Sequence, residues 1–108
     1  MDIFTKAKKI KVENSTVDFF EDENAYYFNT SLTAVPEPMI NALAGLKLLN
    51  GNKRLVMINH KIPMGLFPKI DEYFDYEIEE LEDGNVKIIF IKKPNCNKQL
   101  DFDTNCKG

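Results

Sequence analysis

The sequence predicts an α/β (α+β) two-layer sandwich: a four-stranded mixed sheet with two helices on one face, in the order β-α-β-α-β-β, behind an N-terminal extension. Three observations carry this expectation. Residues 25–30 and 55–58 are β-prone runs, and the segment between them has helical periodicity. A second helical pattern follows, starting near Met64 or Gly65. The chain then alternates through residues 76–79, turns at Asp83-Gly84 and returns through residues 86–92, which is the pattern of a hairpin.

Each element has a local reason. The first 24 residues are an extension, read as one added strand or hairpin, and the acidic run at residues 21–24 breaks its β-prone pattern. Tyr26, Tyr27 and Phe28 suit a strand, and alternation sets Tyr27 against the other two. Pro36 and Pro38 fit only the first turn of a helix, where Glu37 complements the positive end of the helix dipole. Met39, Ala42, Leu43, Leu46 and Leu49 form one apolar stripe, and Gly51 is placed to cap the helix. Residues 55–58 are continuously apolar, as in a strand with neighbours on both sides. Leu66, Phe67, Ile70, Tyr73 and Phe74 give the second helix its buried face, with Pro68 in its first turn. Pro94 ends the last strand, and residues 94–108 read as a mobile polar tail. The divisions are therefore residues 1–24, 25–93 and 94–108, around one core.

Composition narrows the class of function. A net charge of −3 and a pI near 5.1 argue against a nucleic-acid partner, which needs a basic surface. Lys6, Lys8, Lys9 and Lys11 crowd the N-terminus, but short charge runs are usually solvated. No apolar run is long enough to span a bilayer, and the start lacks a signal-peptide pattern, so the expected location is the cytoplasm, without membrane contact. Cys96 and Cys106 are then expected to be reduced thiols.

The run Val35-Pro36-Glu37-Pro38 resembles the Cys-Pro-x-Pro signature of the TusA/SirA family of sulfur carriers, with Val35 at the position of the persulfide cysteine. Residues 60–70, from His60 through Pro63 to Pro68, resemble an uncharacterised domain family related to TusA, whose members carry a histidine just after the second strand and typically lack that cysteine. The resemblance covers roughly residues 25–93. It implies a TusA/SirA-like fold in which the sulfur-carrying nucleophile is missing.

The candidate site residues are His60, Glu37 and Met64. His60 is the one histidine, at the end of a strand where α/β sheets commonly bind ligands, and Met64 adds a thioether four residues on. The plain alternative is a surface or capping histidine. Glu37 is the acid retained from the signature and either orients a ligand or simply serves the helix dipole. A metal site would centre on His60, with Cys96 and Cys106 as more distant candidates, since they lack the close spacing of zinc or redox pairs. The acidic stretch at residues 77–83 is read as a solvated edge.

These observations support a non-catalytic binding or accessory module, with a small ligand or protein partner near residues 35–39 and His60. A metal- or haem-binding redox protein and a sulfur carrier acting through a tail cysteine are the alternatives. A homodimer, through the sheet or the extension, is left open. No cofactor is specified.

Overall fold

A computed structural model of the chain describes residues 7–50 and 52–93. Its elements are β1 (Lys8–Ile10), β2 (Phe19–Glu21), β3 (Ala25–Asn29), α1 (Glu37–Leu46), β4 (Arg54–Asn59), α2 (Phe67–Ile70), β5 (Phe74–Glu80) and β6 (Val86–Lys92). They form an α+β fold with one mixed sheet of six strands, ordered β1-β2-β3-β4-β6-β5, and two helices.

The four-stranded expectation is thereby corrected. The extension supplies two strands, β1 paired antiparallel to β2 and β2 antiparallel to β3. Each is only three residues long, too short for alternation to be counted, so the sequence pattern left them unresolved. Tertiary burial decides the matter instead. Phe19 on β2 is fully buried and its ring stacks on Phe28 of β3, with centroids 4.8 Å apart. The acidic run is not a break but a turn between strands. The Asp22 carboxylate accepts hydrogen bonds from the backbone amides of Asn24 and Ala25, and Glu21 itself lies in β2.

β3 and β4 run parallel, joined through α1, and β4 is the central strand with β6 antiparallel on its other side. Paired residues share a face of the sheet. Tyr26, Phe28, Leu55, Met57, Ile88 and Phe90 therefore face the helices, and Tyr27, Val56 and Ile89 face outward. The main core lies on the helix side, where Phe19, Phe28, Leu55, Met57, Ile88 and Phe90 meet Ala42, Leu46 and Leu49. The opposition of Tyr27 to Tyr26 and Phe28 is as alternation requires.

α1 begins at Glu37 with Pro36 at its cap and Pro38 in its first turn; the Val35–Pro36 peptide is cis. It ends at Leu46, and a tighter turn, Leu48 N–H to the Gly45 carbonyl and Leu49 N–H to the Leu46 carbonyl, carries Leu49 into the core. Gly45 sets how closely the helix approaches the sheet. A Cβ there would lie 2.8 Å from Leu55 Cδ1 and 2.9 Å from Phe19 Cε2.

α2 is a single turn rather than a helix reaching Phe74. Its expected face is nonetheless buried: Leu66, Phe67, Ile70, Tyr73 and Phe74 all sit in the core, with Phe74 already the first residue of β5. Gly65 and Pro68 confine the helical turn to the middle of this segment. Phe67 stacks on Tyr76 across to β5, with ring centroids 4.1 Å apart. The β5–β6 hairpin turns at Gly84, whose φ of 89° needs glycine. No helix among the described residues is long and apolar enough to cross a membrane. The readings of Gly51, of the tail and of Cys96 and Cys106 fall outside the described residues.

Candidate functional site

Because β3 and β4 are parallel neighbours, the loops that leave their carboxyl ends, residues 30–36 and 60–66, emerge side by side. A buried polar pair fixes where they start. Thr30 Oγ1 donates to Asn59 Oδ1 at 2.9 Å and approaches the Ile58 carbonyl at 3.2 Å; the Thr30 amide donates to that same carbonyl at 2.8 Å. Asn59 Nδ2 in turn donates to the Lys61 carbonyl at 2.8 Å. Both side chains are buried, so these bonds offset a desolvation cost that would otherwise be substantial.

Beyond that lock, the loops place apolar side chains in water. Leu32 is 99% exposed, Val35 74% and Met64 69%. These three, with the partly exposed Ile40 of α1 and Ile78 of β5, are the exposed large apolar residues among those described. The second loop lies against the start of α1, since a Cβ on Gly65 would sit 3.5 Å from Met39 Cε. His60 is exposed at the head of the same loop. Val35, His60 and Met64 thus belong to one end of the sheet, as the parallel strands require.

Glu37 is differently placed. Its Oε1 accepts a hydrogen bond of 2.7 Å from Thr16 Oγ1, which ties it to the extension. Thr16 Oγ1 accepts in turn from Asn41 Nδ2 at 2.8 Å, and Asn41 Nδ2 also donates to the Glu37 carbonyl at 2.9 Å. Asn41 Oδ1 receives the amides of Thr16 at 2.7 Å and Val17 at 3.3 Å. Asn41 is fully buried, and its amide group makes two donations and two acceptances. Glu37 therefore works in a clamp that holds residues 16–17 on α1.

The opposite end of the sheet carries the ionisable network. Tyr27 Oη donates to Asp22 Oδ2 at 2.7 Å. Burial, and then that bond to Asp22, pushes the Tyr27 phenol up to about 12. For Asp22, burial works to raise the carboxyl. The Tyr27 hydroxyl, the amides of Asn24 and Ala25 and the Lys53 charge together outweigh it and hold the group below its ordinary value. Lys53 pairs with Glu21 and lies 5.0 Å over the Tyr26 ring. Every member here is accounted for by a turn or a strand pair.

Among the described residues no three His, Cys, Asp or Glu side chains converge in a way that could hold a metal ion. Sequence reasoning found Val35, His60 and Met64 but missed Leu32, Asn41 and the Thr30–Asn59 pair. For Asn41 a signal existed: a polar residue beside the apolar stripe of a helix needs buried partners. Leu32 carried no signal, since an apolar residue in a loop is as often packed as exposed.

Fold and loops together define a small α+β sandwich that presents an apolar surface at the carboxyl ends of its parallel strands. No family model matches the chain at a significant level, and neither does any curated protein or any solved structure.

Proposed function

We propose that this chain is a non-catalytic, TusA-like binding or accessory module whose partner meets the loops around Val35 and His60. The observation that carries the reading is the exposure of Leu32, Val35 and Met64 on two loops rooted in a rigid, buried polar pair. Exposed apolar side chains gathered on anchored loops mark interaction surfaces. The order of elements from β3 onward is the one the TusA/SirA resemblance implies, and valine at the cysteine position removes the nucleophile. A photo-crosslinking residue at Leu32 or at Met64 is expected to give discrete adducts in cells, and one at Glu82, in the hairpin turn, is not. Equal labelling from all three positions would overturn this reading. Incubation with a cysteine desulfurase and labelled cysteine is expected to leave no sulfur on the chain. Retained label would move the assignment to a carrier working through Cys96 or Cys106.

A second reading, a metal- or haem-binding redox protein, draws on the exposure of both His60 and Met64 on one loop. Absorption spectroscopy and elemental analysis of untagged protein decide it, with His60→Ala as the control. A bound metal lost in that variant would establish it.

A further inference from the structure

Rows of directly paired residues cross the whole sheet. One runs Lys9, Phe20, Tyr27, Val56, Ile89, Glu77, from the β1 edge to the β5 edge. It begins on a cation and ends on a carboxylate. The row beside it begins at Ile10 and ends at Ile78, and the row on the other side begins at Lys8 and ends at Tyr76. The two ends of every row are thus complementary: cation to anion, aliphatic to aliphatic, cation to aromatic ring. Lys8, Lys9 and Glu77 are exposed, and Ile78 is 40% exposed.

Direction agrees with this. From β1 to β5 the sheet contains one parallel and four antiparallel steps, so β1 and β5 point the same way. Among the described residues each is an outer strand with a ladder on one side only. Such an edge is a template for another strand. Charged edges ordinarily prevent this, and here they do so for like edges. β5 against β5 sets Glu77, Glu79 and Glu80 against one another, and β1 against β1 sets lysine against lysine. Between β1 and β5 the same charges attract. The present partner of Lys9, Asp18 at 3.5 Å, forms an exposed surface pair of the kind that contributes little.

We propose that a second copy of this chain docks head to tail, its β1 laid parallel against β5. Lys9 then meets Glu77, Ile10 meets Ile78 and Lys8 lies beside the Tyr76 ring. The contact is heterologous, so it leaves a free edge at each end and does not close into a dimer. It uses the two sides of the sheet rather than the loops at the strand ends, and stands or falls apart from the function proposed above.

Sedimentation equilibrium of the full chain in low salt, up to millimolar concentration, tests it. The average mass is expected to rise past that of a dimer, and association to weaken about fivefold in high salt. Lys9→Glu and Glu77→Lys are each expected to weaken association about tenfold, by turning attraction into like-charge repulsion, with the melting temperature unchanged. Both substitutions in one chain restore it. A monomer at every concentration overturns the proposal. So does an assembly that stops at a dimer, one indifferent to both single substitutions, or a double variant that fails to recover.

Discussion

Two regions of this molecule reverse the usual relation between motif and fold. The extension, residues 8–21, carries no recognisable motif, yet Phe19 fills the core and the Thr16–Val17 backbone is bonded to a buried asparagine. The loops at residues 30–36 and 60–66 carry the sequence features that stand out, yet of their apolar side chains only Leu66 and Ile62 reach the core, while Leu32, Val35 and Met64 lie in water. The difference separates two tasks. The unremarkable segment is needed for stability, and the conspicuous one is free to act on something else.

The sharpest way to break this comparison is to remove Phe19. Phe19→Ala leaves a cavity against Phe28 and Leu55, and is expected to cost about 3–5 kcal/mol by urea denaturation. A loss below about 1 kcal/mol would show that the extension is a mere appendage. Asn41→Ala comes next. It strands the amides of Thr16 and Val17 and removes the donor to the Thr16 hydroxyl, which keeps its bond to Glu37, with an expected cost of about 1–3 kcal/mol. Hydrogen exchange in this variant is expected to speed up first at residues 16–17, before the sheet is affected.

Val35→Cys sharpens the other side. At 74% exposure the substitution is expected to change stability by less than about 0.5 kcal/mol. The new thiol, two residues before α1, is expected to alkylate faster near neutral pH than the thiol of Leu32→Cys, because the helix dipole favours the thiolate. Both are measured with Cys96 and Cys106 replaced by serine. Equal rates would detach Val35 from the sulfur-carrier signature. The smallest effect belongs to Asp22. Its pKa is depressed in the folded chain, so its contribution is present above the ordinary value of 3.8 and is lost as the pH falls through the folded value. Asp22→Asn is therefore expected to flatten the acid limb of a stability–pH curve by lowering its neutral plateau slightly, and to leave the most acidic region almost unchanged.

Much of the central fold was legible in the chain. The two prolines placed the start of α1, the continuous run at residues 55–58 placed the central strand, and Asp83-Gly84 placed the hairpin. These signals are local: a fixed φ, a turn, a run of one polarity. β1 and β2 were legible only as one added strand or hairpin without bounds, because three residues cannot establish a period and their reason for pairing is Phe28, several positions away. The same limit hid the Thr30–Asn59 bond, which exists only once β3 and β4 lie side by side. Of the candidate site, the polar and proline residues could be named from sequence, and the exposure of Leu32 could not. Glu37 was visible as an acid at a helix start, but its partner Thr16 lay in the part of the sequence that gave least to read.

The Thr30–Asn59 lock has a consequence for how such a protein changes over generations. With the base of each loop fixed by buried bonds, Leu32, Val35 and Met64 project from a platform that does not depend on their identity. Under the binding role proposed above, substitutions there alter what the surface recognises at almost no cost to folding. A lineage can then exchange one partner for another by drifting through a few loop positions, while selection on the fold acts elsewhere, on Phe19, Asn41 and the sheet.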